Sequence, residues 1–277
     1  MPEALRSLTD IADRYEAIVF DQWGVLHNGT AAYPGVPDVL RELIRTGHRL
    51  AVLSNSGKRA DVNASRIRGL GFAQVDFETV MTSGEAFWQD ISDQIVSYDR
   101  LYPVEASNGD AERWASGLDL VFAGLEDAEA ILLMGVPEGT DGSDAAAALR
   151  VARGRNLPLV CTNPDRVSPR ADGQTQISPG TLARDYATAG GTVTYYGKPH
   201  RAIFDTLART LDLPPDRILM VGDSLEHDIT GAASAGWSSV FVTGGLGFGR
   251  IRDANAIAVE AGRLGGPLPD FFIPIVR

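Results

Sequence analysis

The sequence predicts an α/β fold: a doubly wound, Rossmann-like parallel sheet with a second α/β domain inserted into it. Three observations predict this. Short, wholly apolar runs alternate with segments of helical spacing, the pattern of parallel strands buried on both faces by crossover helices. Polar residues recur just past the apolar runs, at Asp21, Ser54 and Asp223, where a doubly wound sheet places its ligands. The middle of the chain repeats the strand–helix alternation by itself, between loops rich in Gly, Ser and Asp. The expected domains are therefore a core of residues 1–83 and 192–277 and an insert of residues 84–191.

Taken in order, Ala17–Asp21 reads as the first strand. Val36–Thr46 has helical spacing, with Gly47 as its stop signal. Leu50–Ser54 is a second apolar run, and Arg59–Gly69 a helix closed by its glycine. Within the insert, Leu101–Ala106, Leu118–Phe122, Ala130–Met134 and Leu157–Cys161 read as strands, and Asp110–Ser116 and Asp144–Arg155 as helices. Pro137–Ser143 and Val167–Thr175 have loop composition. The core resumes with a helix at His200–Leu213, a strand at Ile218–Val221, a helix near Leu225–Ala235 and a strand at Val240–Thr243. Gly244–Gly249 has dinucleotide-loop spacing, but Arg250 stands at the last glycine position, so it reads as a loop.

Bulk properties narrow the function. A length of 277 residues suits one large domain or two modest ones. A net charge of −11 argues against nucleic acid as a partner and is compatible with a metal ion or a metal-bound anion. No stretch approaches the ~18 apolar residues of a membrane span, and Met1–Tyr15 mixes charges without a signal-peptide core. Cys161 is the sole cysteine, so no intrachain disulfide forms and a cytoplasmic location is expected. Cys161 itself reads as a buried small apolar residue.

The residues at the strand ends form a chemical set. Asp21 follows the first strand, Ser54, Asn55 and Ser56 the second, and Asp223 and Asp228 the strand Ile218–Val221, while Lys198 precedes the helix His200–Leu213. A carboxylate attacks phosphorus to form an acyl phosphate, a divalent cation shields the charges, and a hydroxyl and an ammonium hold phosphate oxygens. Mg²⁺ takes oxygen ligands and few protein carboxylates, which Asp21 and Asp223 supply. Each residue also has a plainer reading: Ser54 as a helix cap, Asp228 as a first-turn acid, and Asn163 with Asp165 as a turn around Pro164.

The motifs FDQWG, LSNS, GKP and GDSLEHD, in that order and with a long insert between LSNS and GKP, resemble the haloacid dehalogenase (HAD) superfamily. The branch is subclass IIA, of the NagD-like and p-nitrophenyl phosphatases, whose C2-type cap the insert matches. CTNPD, Cys161–Asp165, resembles a segment of that cap. The resemblance implies a Mg²⁺-dependent phosphatase acting on a small phosphorylated metabolite, with Asp21 as nucleophile and metal ligand. It implies phosphate contacts from Ser54 and Lys198 and from the Trp23–Gly24 and Asn55–Ser56 segments. It makes Asp223 and the Trp23 backbone carbonyl metal ligands, Asp228 a support for the metal or for Lys198, and the cap, with Asn163 and Asp165, the source of substrate choice. A homodimer through the cap is a further expectation.

One position departs from the family pattern. Its phosphatases carry a second aspartate where Trp23 stands, and that acid protonates the leaving oxygen and activates water. An indole does neither. General acid–base catalysis contributes about 10²–10⁴-fold, so turnover is expected to survive best on substrates with good leaving groups. Trp23 either packs under the cap or stacks on a substrate ring, and His27 substitutes as acid or base only if its loop turns inward. Two alternatives stand beside the phosphatase: a non-catalytic protein on this scaffold binding a phosphorylated metabolite or a partner, and a different HAD chemistry. Carbon–phosphorus cleavage loses ground because the insert contains no lysine, the chain's lysines being Lys58 and Lys198.

Overall fold

A computed structural model describes residues 1–137, 139–169, 175–245, 251 and 253–277, without the side chains of 167–169 and 175–176. Much of the Gly244–Gly249 stretch therefore lies outside the described residues. The chain forms two compact units. One comprises Met1–Ser54, Asp61–Met81 and Lys198–Arg277, and the other Asn55–Ala60 and Thr82–Gly197.

The first unit is built on a seven-stranded sheet in the order Glu3–Ala4, Phe271–Ile273, Ser238–Val242, Ile218–Gly222, Ala17–Phe20, Arg49–Ser54, Thr79–Thr82. Neighbours from Glu3–Ala4 through Arg49–Ser54 pair in parallel. Side chains alternate across a strand, and Ser238–Val242 shows both faces at work. Val240 and Val242 join a core with Ile18, Phe20 and Val52, whereas Phe241 packs with Leu225, Ile229 and Ile257 on the other face. The helix Val36–Arg45 buries Val36, Leu40 and Leu43, one stripe of its surface, and has Pro37 in its first turn. Gly47, at φ +96°, takes the left-handed turn that ends it.

The second unit carries a five-stranded parallel sheet in the order Val193–Tyr195, Leu159–Cys161, Ala130–Leu133, Arg100–Val104, Val121–Phe122. Ile131, Leu133, Leu159 and Cys161 from the sheet pack with Leu149 and Ala152 of the helix Ser143–Gly154. Leu182, Ala183 and Tyr186 of the helix Pro179–Thr188 complete that core.

Several elements differ from the sequence reading. The expected strand Leu118–Phe122 shrinks to Val121–Phe122, because its residues through Leu120 carry the chain toward the sheet edge. The expected helix near Leu225–Ala235 divides into a π-helical turn, Leu225–Ile229, and an α-helix, Thr230–Ala235. Glu3–Ala4, Thr79–Thr82, Val193–Tyr195 and Phe271–Ile273 are short strands without the long apolar run that reveals a central strand. Ser83–Ser92 and Ala254–Leu264 are further helices. Ser83–Ser92 starts at Thr82, whose hydroxyl accepts from the Glu85 N–H at 2.9 Å.

Candidate active site

The sheet register of the first unit decides which side chains meet. Phe20 pairs with Val52 on one side and Val221 on the other, and the Asp21 N–H continues the ladder to the Val221 carbonyl at 2.9 Å. Asp21 and Asp223 therefore leave adjacent strands at nearly the same level, with Ser54 at the end of the strand on the other side. This is the carboxyl edge of a parallel sheet, where side chains and loop amides converge.

Asp21, Asp223 and Asp228 bring carboxylate oxygens within 4.8 Å of one another. Lys198 lies among them, 3% exposed, with Nζ 2.5 Å from Asp21 Oδ1 and 2.7 Å from Asp228 Oδ1. Asp228 is placed by Gly222, where a Cβ would lie 2.2 Å from the Asp228 Cβ, and its Oδ2 accepts from the Ser224 N–H at 3.0 Å. The Ser224 hydroxyl caps the following turn by accepting from the His227 N–H. Gly245 does the same for Asp223: a Cβ there would lie 2.2 Å from Asp223 Oδ2.

The electrostatics come from two acids, Asp21 and Asp228, sharing one base. Burial pushes the Asp21 carboxyl up to about 6; Lys198 pulls it down and Asp228 adds to the rise. Burial also opposes the Lys198 charge, but Asp21 and then Asp228 outweigh it and hold the ammonium above its ordinary value. Lys198 is thus charged throughout the physiological range, and its divided attention leaves Asp21 under-neutralised. A bound cation would reverse that rise. Tyr33, which no sequence motif marks, is raised by burial and then by the Asp223 charge. Only the fold brings it to that carboxylate.

The loop after Asp21 turns His27 inward. The residue is 0% exposed, and its Nδ1 accepts from the Gly29 N–H at 3.1 Å. Burial, then the Arg66 charge, lowers the imidazole to about 4. A ring so buried and depressed is a poor proton donor near neutral pH. Trp23 meets His27 edge to face, with ring centroids 5.9 Å apart, and the Arg66 guanidinium carbon is 5.5 Å from the indole centroid. The benzo ring of Trp23 also lies against Gly29, where a Cβ would come within 2.4 Å of Cη2. Gly24, at φ +82°, donates its N–H to the His27 carbonyl.

The remaining expected site residues belong to the second unit. Asn55 Nδ2 donates to Asp165 Oδ1 at 2.7 Å. Asn163 Oδ1 accepts from the Asp165 N–H at 3.2 Å, forming a turn. The Ser56 hydroxyl accepts from the Lys58 N–H at 3.3 Å. Cys161 is buried, its thiol pushed up to about 12 by burial, and Sγ donates to the Asn163 carbonyl. That is an inert packing thiol.

Comparison with known proteins identifies the family. The family description "haloacid dehalogenase-like hydrolase" matches residues 15–236. Human Chronophin is 31% identical over 261 residues, covering 90% of this chain and 88% of that protein. The chain belongs to the haloacid dehalogenase-like hydrolases. Glycerol-3-phosphate phosphatase from Gallus gallus is 28% identical over 278 residues, covering 93% of this chain and 88% of that one. A haloacid dehalogenase-like family hydrolase from Brucella suis 1330 superposes with a TM-score of 0.81 at 26% identity, covering 100% of both chains. A 4-nitrophenylphosphatase from Thermotoga maritima shares the fold at a TM-score of 0.77 and 20% identity, covering 96% of both. The protein is thus a HAD hydrolase with the α/β architecture that its motifs foretell. No helix among the described residues is long and apolar enough to cross a membrane.

Proposed function

We propose that this chain is a Mg²⁺-dependent phosphatase that hydrolyses a small phosphate monoester through an aspartyl-phosphate on Asp21. The observation that carries the reading is the cluster of Asp21, Asp223 and Asp228, with Lys198 paired to Asp21 and Asp228. The phosphatases among its relatives support the substrate class. The cluster's donors fit the ion: they are hard oxygens, three carboxylates against one ammonium, and Gly245 leaves open the space beside Asp223 that a Cβ would fill. Asp21, Asp223 and the Trp23 carbonyl would hold Mg²⁺, with Asp228 in support, and the ion would neutralise charge between nucleophile and phosphate.

The chain's own groups supply the rest. An Asp21 oxygen attacks phosphorus as the bond to the leaving oxygen breaks; water then attacks phosphorus, freeing phosphate and restoring the carboxylate. Lys198 keeps Asp21 ionised and, with Ser54, binds phosphate oxygens. With Trp23 in place of an acid, the leaving group takes its proton from water, so aryl or acyl phosphates are favoured over alkyl esters. The second unit serves as the cap, with Asn163 and Asp165 contributing to substrate choice.

The test is hydrolysis of p-nitrophenyl phosphate with Mg²⁺ and with EDTA, beside Asp21→Asn. Turnover that needs Mg²⁺ and disappears in Asp21→Asn is expected. Bound Mg²⁺ without turnover would sink the reading and leave a phosphometabolite-binding protein on a hydrolase scaffold.

A further inference from the structure

We infer, on the basis of that reading, that His27 is a positioning residue. It clamps the Gln22–Gly29 turn and so fixes the main chain and indole of Trp23, the residue two places after the nucleophile. The backbone forms half of the clamp. The Leu26 and His27 N–H groups both donate to the Gln22 carbonyl, at 2.9 and 3.2 Å, and the Gly24 N–H donates to the His27 carbonyl at 3.1 Å. Trp23 and His27 also form an isolated parallel β-bridge.

The imidazole forms the other half. Nδ1 accepts from Gly29 N–H, so the neutral ring carries its proton on Nε2. One ring thus joins Gly29 on its Nδ1 side to the Trp23 indole, which it meets at 72°. Gly29, at φ +94°, in turn lies against the indole, closing a three-residue contact. Nε2 is buried and has no hydrogen-bond partner among the described residues. An orphan donor is unfavourable, and a merely space-filling position would be better served by a phenyl ring. The Gly29 bond is the feature that a phenyl ring lacks. Nor does the geometry suit an acid or base, because one nitrogen is engaged and the other is enclosed.

Two substitutions separate the parts. His27→Asn keeps a short acceptor for Gly29 and loses the ring, while His27→Phe keeps a ring and loses the acceptor. In metal-free protein, urea midpoints are measured for His27→Asn, Trp23→Phe and the double variant. The clamp predicts a double-variant shift smaller than the sum of the singles; additive shifts would overturn it. With Mg²⁺, both His27 variants are expected to need about 10–100-fold more ion for half-maximal thermal stabilisation. On p-nitrophenyl phosphate, kcat should fall and its pH profile keep its shape. Unchanged Mg²⁺ demand in both variants, or loss of one limb of the pH profile, would each overturn the positioning role. Wild-type protein that Mg²⁺ does not stabilise would instead sink the phosphatase reading, and the urea cycle would still judge the clamp.

Discussion

Trp23 is held on several sides, by His27, Gly29 and the Arg66 guanidinium. These contacts pack the indole within the first unit. If the missing acid is what limits the reaction, Trp23→Asp should raise kcat for an alkyl phosphate by up to about 10²–10⁴-fold and for an aryl phosphate far less. The ratio of the two rates reads the effect, and an unchanged ratio would mean that protonation of the leaving group does not limit turnover. Gly245→Ala forces a methyl into Asp223 Oδ2, so Mg²⁺ affinity is expected to fall about 10–100-fold by calorimetric titration. His27 makes a pH prediction. Its folded value is about 4 against 6.5 for a free imidazole, so the unfolded chain binds the proton more readily. The stabilisation is complete above pH 6.5 and is lost as pH falls towards 4. In EDTA, the stability difference between wild type and His27→Asn should fall by about 1–3 kcal/mol from pH 7 to pH 4, while Asp21, raised to about 6, shifts both proteins alike in the opposite sense.

Strands and their connecting segments carry these side chains. Asp21, Ser54 and Asp223 reach one edge of the sheet because three parallel strands run in register and end together. The segment Asn55–Ala60, next after Ser54 in the chain, is fastened within the second unit. Arg59 pairs with Glu85 at 2.6 Å and lies over the Trp88 ring at 3.8 Å, and the Ala60 N–H donates to Glu85 Oε2. Gly84 packs on the Gly57 carbonyl, where a Cβ would lie at 2.1 Å. Arg59→Ala should therefore speed hydrogen exchange of the Ala60 amide by about tenfold or more while leaving the Ala17–Phe20 strand protected. Equal protection in the variant would show that this fastening adds nothing to local stability.

Each unit has its own hydrophobic core, the first around Ile18, Phe20 and Val221 with a further cluster around Phe241 and Ile257, the second around Ile131, Leu133 and Leu159. Two such cores permit unfolding in more than one step. The carboxylate cluster lies wholly in the first unit. A ligand that binds only the folded state stabilises by about 2.7 kcal/mol at a hundredfold excess over its Kd. Mg²⁺ should therefore raise the calorimetric transition of the seven-stranded unit, and EDTA should reverse the rise. A shift confined to exchange protection in the five-stranded unit would contradict the metal assignment.

Much of the fold and the site is legible in the sequence. Burial on both faces makes central strands such as Ala17–Phe20 and Ile218–Gly222 almost wholly apolar. A parallel sheet delivers the residues just past those strands to one edge, so pattern alone names Asp21, Ser54 and Asp223. Lys198, just before a helix, and Asp228, five residues past Asp223, join that set by position, and motif resemblance gives them their roles. Edge strands such as Glu3–Ala4 are not legible, because two exposed residues leave no periodicity. Contacts are not legible either. Local patterning reports which face of a strand or helix is buried, but not what lies across the gap. That Lys198 bridges Asp21 and Asp228, that Tyr33 feels Asp223, and that His27 turns inward to hold Gly29 against Trp23 depend on tertiary packing, which no local spacing encodes.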